Sequence, residues 1–553
     1  MRNQLIRRLI PFLLLTILLA ACKPSSQLTE LASPVISAIQ PVTIDESATL
    51  ATPVPLDEGS VQPLPEGEQD TFRIAIPENI DTFDPLFTQN AVIVLPYILE
   101  TLTRLSESGE VEPLLAFGWE ISEDGLSYAF ELQSGVFFSD GTPFNAEAVK
   151  FNLERLQALN PPMISRTVMT NIREMEIIDD YHITIYLNAP SSDFLMALSN
   201  VHLSMLSPSS ISPETEDYNN IGLLTPIGTG PFVLYEYNGI DNLVLHRNPD
   251  YWNFTPYLDI ITIQSVPDFL ARENMLVNGE IDLTLDLPPD DFNILTEYEN
   301  MVVQEGELFR QVFIGININR PFMDDVRMRH ALNFAIDQDY IVAEILKDRA
   351  LTSTSPVPEN FLNACQAGLP YTQNLEMAAS LLTDSLEVPQ NMPLTLILPA
   401  GEIQQGEAIA EAAANNLRSL GFQVTVQALD WDSYVAAFSA PREEQIYDLY
   451  LFEWTGHVPH ANDTFQLLLS DSPLNASHYT NPDVDAWIRS AAASLDEDET
   501  EELYCTLSQF VWQDAPWIFL YQQDDPVVFS SRFTNIEVLP GGRFSVAFAE
   551  SLE

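Results

Sequence analysis

Cysteine is nearly absent. Three in 553 residues, with no CxxC and no Cys/His spacing of a zinc site, exclude a disulfide-built scaffold and a zinc module. Basic residues are scarce too: 23 Lys and Arg stand against 80 Asp and Glu, a net charge of −57. Such a polyanion does not bind nucleic acid or an anionic membrane surface through charge. Sequence signatures of chemistry are also missing. There is no G-x-S-x-G elbow, no G-x-x-x-x-G-K-[ST] phosphate loop, no G-x-G-x-x-G and no H-E-x-x-H. Carboxylate pairs such as Asp324-Asp325 and Asp524-Asp525 are ordinary in so acidic a chain and read as solvated turns. What is present is material for cores: 46% apolar and 10% aromatic residues, in a length sufficient for about three domains.

The first segment addresses the protein. Arg2, Arg7 and Arg8 precede an apolar run, Leu9–Ala21, with no acidic residue before Cys22. That is the pattern of a secretory signal, too short to anchor in a bilayer core of about 30 Å. Leu19-Ala20-Ala21-Cys22 resembles the lipobox of bacterial lipoproteins, which implies diacylation of Cys22 and removal of residues 1–21. An ordinary signal peptide beside a coincidental cysteine is the alternative. Cleavage would take the net charge to −60, because the lost segment holds three Arg and no acid. From Lys23 the chain has seven prolines and no aromatic residue before Phe72. Residues 22–71 therefore read as a disordered tether, with a root-mean-square reach near 40 Å by about 5–6 Å × √n.

Beyond it, β and helical patterns alternate, as in an α/β fold. Period-two strands run through Tyr128-Phe130-Leu132 and Ile183-Ile185-Leu187, and Asn145 is the expected N-cap of a helix carrying Val149, Leu153 and Leu156. Leu394–Leu398, a helix over about Gln405–Leu420 and Phe422–Val426 form an expected βαβ unit closed by Gly421. Among seven histidines only His457 and His460 lie close together; Pro459 between them argues for loop residues over a helical metal pair. Once Cys22 is acylated, Cys365 and Cys505 remain, and a bridge or two buried thiols are both open.

Several segments resemble the family 5 extracytoplasmic solute-binding proteins, the peptide- and nickel-type receptors of ABC importers. They include Leu115-Ala116-Phe117-Gly118-Trp119, Tyr128-Ala129-Phe130-Glu131-Leu132, and the block from Gly135 to Phe144 with Ala146-Glu147-Ala148-Val149. Pro226-Ile227-Gly228-Thr229-Gly230-Pro231-Phe232, Arg247-Asn248-Pro249-Asp250-Tyr251-Trp252, Gly279-Glu280-Ile281-Asp282 and Arg327-Met328-Arg329-His330-Ala331-Leu332-Asn333-Phe334-Ala335-Ile336-Asp337 follow in family order. Gln133 replaces a basic residue common in the signature. By themselves most of these residues read as turns and core: they identify the scaffold rather than the ligand.

The resemblance implies a two-lobed, hinged α/β binding-protein fold of the large three-domain variety. Domain I would comprise 72–92, 222–305 and 515–553, domain II an insertion at 93–221, and domain III 306–514. It implies no cofactor, metal or catalytic residue, a monomer docking on permease subunits, an extracytoplasmic location, and a peptide or other small solute held between lobes. Peptide-type members hold the ligand amine with an aspartate shortly after a domain III tryptophan. Here Trp454-Thr455-Gly456-His457 puts histidine there, and the loop Pro399-Ala400-Gly401-Glu402-Ile403 lacks the arginine of dipeptide-type members. Glu402, Glu453 or Asp463 would then take an amine, with Trp431, Tyr434 and Trp454 as walls and Gln89 and Asn90 as further contacts. Pro459-His460-Ala461 is similar to a nickel-type segment, which makes metal-chelate binding the second expectation; a secreted hydrolase is the alternative of another class.

Overall fold

The computed structural model describes residues 70–552 apart from 107, 160–170, 212–222, 224, 239–241, 307, 384, 385, 387, 524, 525 and 540–542. Cys22 and nearly all of the expected tether lie outside these residues. Thr71, the tether's expected last residue, already pairs with Ile260.

Among the described residues the strands form three larger sheets, beside three two-stranded ones. The first has seven strands, in the order Met301–Gln304, Val527–Ser530, Leu283–Thr284, Thr71–Ile76, Ile260–Ser265, Asn242–Arg247 and Phe232–Tyr237. Its central strand, Thr71–Ile76, runs parallel to both neighbours and buries Phe72, Ile74 and Ile76 on one face. Arg73 fixes the strand's edge by a two-pronged pair to the buried Asp282, with Nε–Oδ2 of 2.9 Å and Nη2–Oδ1 of 2.8 Å.

A four-stranded antiparallel sheet follows the order Ala116–Ile121, Ser127–Leu132, His182–Leu187 and Ile172–Asp179. The helix Ala146–Leu159 packs Val149, Leu153 and Leu156 onto it, and Asn145 Oδ1 caps that helix by accepting the Ala148 N–H at 3.1 Å. Arg155 of the same helix makes a fully buried double contact with Asp84, which lies in the segment after the first strand. That pair ties the inserted sheet to the first one.

The other lobe is built on six strands in the order Leu351–Thr352, Trp517–Gln523, Arg310–Ile316, Leu449–Trp454, Pro393–Pro399 and Gln423–Leu429. Pro393–Pro399 and Gln423–Leu429 are parallel and joined through the helix Gly406–Ser419, whose Ile409, Ala413 and Leu417 face the core. Gly421 ends the crossover with φ +96°.

The chain passes between the first and six-stranded sheets twice, between Gln304 and Arg310 and between Gln523 and Val527. This shifts the expected boundaries. Trp517–Gln523 pairs with Arg310–Ile316, so the return to the first lobe falls after Gln523 rather than at 515. Val94, Leu95, Tyr97 and Ile98 pack into the first sheet's core, so the insertion begins after them rather than at 93. In both cases tertiary burial draws the residues to a core that the linear order does not reveal. Cys365 and Cys505 are joined by a disulfide, with their Cα atoms 5.2 Å apart.

Candidate ligand-binding site

In the six-stranded sheet the carboxyl ends of Pro393–Pro399, Leu449–Trp454 and Trp517–Gln523 lie at the edge where the chain crosses between lobes, together with the amino end of Arg310–Ile316. Open α/β sheets expose their loops for binding at that edge. The loop after Trp454 turns at Gly456, whose φ of +73° is strained for any residue with a Cβ. An added Cβ would also stand 2.9 Å from the Phe361 ring and 3.0 Å from the Asp463 carboxylate. Asp463 holds the turn from inside: Oδ2 accepts the His457 N–H at 2.7 Å, and Oδ1 lies 3.3 Å from His457 Nδ1. Burial lowers the His457 pKa, but the Asp463 charge and hydrogen bond outweigh it, and the net direction is up. His460 differs. Its Nδ1 accepts the Asn462 N–H at 3.0 Å, capping the short helix Ala461–Phe465, and burial drives its pKa down against the pull of Asp193 and Asp463. It is a neutral structural imidazole.

The first lobe meets this loop directly. Asn200 Nδ2 donates to the His457 carbonyl at 2.6 Å, Asn462 Nδ2 donates to the buried Asp193 Oδ2 at 2.8 Å, and the Ser192 N–H donates to the Ala492 carbonyl at 2.8 Å. At the other end Gln404, in the loop after Pro399, donates to the Leu287 carbonyl at 2.8 Å and accepts from Gln523 at 3.1 Å. The two lobes are therefore in contact at both ends of one seam. Near Gln404, Glu78 of the first lobe is exposed, and desolvation first and then the Asp286 and Glu402 charges raise its pKa against Arg272, which lowers it.

The expected contact residues fall in different places. Trp454, Gly456, His457 and Asp463 come together at the seam, with Thr455 exposed between them. The Trp454 ring is buried 5.3 Å from the His457 ring, and its indole N–H has no hydrogen-bond partner among the described residues. Glu453 is paired with Arg310 at 3.2 Å rather than free for an amine. Glu402 is exposed on the Gln404 loop. Tyr434 is not a wall: it is buried in the aromatic core, where its hydroxyl donates to the Leu451 carbonyl at 2.6 Å. Trp431 is 45% exposed at the start of the helix Trp431–Ser439. Gln89 and Asn90 are arranged around Asp81, which accepts the Gln89 N–H at 2.8 Å and the Asn90 N–H at 3.4 Å. Asp193, Asn200, Asn462 and Gln404 escaped the sequence reading, since polar residues in loops carry no periodic signal of the surface they will face.

The profile described as "Bacterial extracellular solute-binding proteins, family 5 Middle" matches residues 110–476, more than half of the chain. The chain belongs to that family. Among relatives of this family 5 protein, the "Glutathione-binding protein GsiB" of Salmonella typhi is 26% identical over 481 residues, covering 85% of this chain and 93% of the relative. The same-named protein of Escherichia coli K12 is 26% identical over 486 residues, 86% and 94% of the two chains. Among solved structures, the periplasmic binding protein DppA of Helicobacter pylori, in complex with peptide STSA, superposes with a TM-score of 0.74 at 23% identity, covering 88% and 99%. NikA of Brucella suis, in complex with Fe(III)-EDTA, gives 0.78 at 23% identity, covering 87% and 99%. The two-lobed binding-protein fold is common to them and this chain.

Proposed function

We propose that this family 5 protein is the extracytoplasmic receptor of an ABC importer, held to the membrane by lipid on Cys22, and that it encloses peptides or peptide-like solutes between its lobes as a monomer. The observation that carries the reading is the seam itself: Asp193 and Asn200 of one lobe meet Asn462 and the His457 carbonyl of the other at the loop edge of a sheet. A guest that touches both faces favours the closed arrangement by its differential contacts, and the closed shape is what a permease would recognise.

The chemistry of the seam supports a guest with amide groups and a free amine. The Trp454 indole N–H, without a partner among the described residues, suits a carbonyl acceptor. The Asp286 and Glu402 charges both disfavour ionised Glu78 and Arg272 offsets them in part; an ammonium placed beside Glu78 would add to that compensation. The chelate reading is weaker, because His460 is occupied as a helix cap. No bond of the guest is expected to break.

Thermal-shift and calorimetric titration with di- to hexapeptides, glutathione and nickel–histidine tests the proposal. Free-amine peptides should raise Tm through linkage, and their N-acetylated forms should bind about tenfold or more weakly. Silence from every peptide would remove the peptide assignment, and a response to nickel–histidine alone would favour the chelate.

A further inference from the structure

Away from the seam, a cavity of about 570 Å³ opens within the first lobe, between the seven-stranded sheet and the inserted domain. Its volume is in the range of small-ligand sites. All of its lining residues come from this lobe and none from the loop that carries His457, although Ser199 and Val201 of the lining flank Asn200, which meets that loop.

One wall is aromatic. Tyr251 meets Phe254 edge to face at 5.1 Å, and Phe254 stacks on Phe548 at 4.2 Å. The buried Glu100 carboxylate lies beside them. Its two oxygens accept one hydrogen bond each, from Tyr251 Oη at 2.7 Å and Trp252 Nε1 at 2.8 Å, and an ionised carboxylate retains further lone pairs. Arg104 is the basic residue on the lining, and Glu112 neutralises it at 2.8 Å; Glu537 adds another acid. A negative, aromatic-walled enclosure of this kind recognises a positive organic group through ring faces and a carboxylate together.

We propose that this cavity is a second ligand site, separate from the interlobe seam, which takes a small organic cation with its charge beside Glu100 and its alkyl groups against Tyr251, Phe254 and Phe548. The electrostatics agree. Burial raises the Glu100 pKa to about 7, although Trp252, Tyr251, Thr229 and the Arg104 charge all lower it. An enclosed cation would supply the compensation that burial removes.

The probe is choline, titrated calorimetrically into the full chain, with its uncharged isostere 3,3-dimethylbutan-1-ol alongside. The expected result is saturable choline binding at one site, none by the alcohol, and about a tenfold loss in Glu100→Gln. Phe548→Ala, at a partly buried lining residue, should weaken binding about fivefold while leaving the buried carboxylate and its partners in place. Trp454→Ala, at the seam, should leave choline binding unchanged while weakening the peptide guest, so failure of this site and failure of the peptide reading are separate results. Absence of saturable choline binding, equal binding of the alcohol, indifference to both cavity variants, or loss in Trp454→Ala would overturn the proposal.

Discussion

At the residue scale the site turns on Asp463, which spends one oxygen on the His457 backbone and the other on its ring. Asp463→Asn should leave burial as the dominant influence on His457, so its pKa, raised in the wild type, should fall below the ordinary 6.5; an NMR titration of the ring protons reads this. The sign for stability follows. A folded-state pKa above the unfolded one means the His457–Asp463 interaction contributes fully below about pH 6.5 and is lost as pH rises through the raised value. Wild type should lose that increment in stability on going from mildly acidic to alkaline pH, and Asp463→Asn should not. Gly456→Ala meets both a left-handed φ and the Phe361 ring. It should cost about 1–3 kcal/mol in denaturant unfolding and weaken the guest, because the whole turn must shift.

At the scale of elements, a buried ion pair holds the inserted domain to the segment after the first strand. The Arg155–Asp84 pair is inaccessible on both sides, so Arg155→Ala leaves a buried carboxylate uncompensated and should cost about 3–5 kcal/mol, measured as a lowered denaturation midpoint. Within the first sheet's own layer there is a close approach: Gly230 lies against the end of the helix Leu95–Ile98, and an added Cβ would meet the Tyr97 and Ile98 backbone at 2.6 Å. Pro226-Ile227-Gly228-Thr229-Gly230-Pro231-Phe232 was legible as a turn in the sequence; the backbone packing of Gly230 against that helix required the tertiary fold. The crossover Pro393–Leu429 was legible almost residue by residue, because helical and strand periods write its burial directly into the sequence. Trp517–Gln523 was misplaced because a fully buried strand has no alternation to show which sheet it joins. The site was half legible. Trp454, His457 and Asp463 share one loop, whereas Asp193 and Asn200 reach that loop from a position more than 250 residues away for the Asn200–His457 contact.

For the whole molecule, the disulfide spans a separation of 140 residues and anchors the segment that packs Phe361 against Gly456. Its loss should destabilise the chain by about 4–5 kcal/mol on a chain-entropy account, read as a lower Tm under reductant. Among the described residues no helix is long and apolar enough to cross a membrane. Lipid on Cys22 is the proposed anchor, so Cys22→Ser should release the protein into the soluble fraction of its host, and retention in the membrane fraction would count against lipid anchoring. Closure of the two lobes on a guest across the His457 seam is open to small-angle X-ray scattering with and without the tightest-binding peptide. The free protein should have the larger radius of gyration, and the guest should contract it to the profile of the closed arrangement. Superimposable profiles at saturating guest, both matching a rigid body, would contradict it.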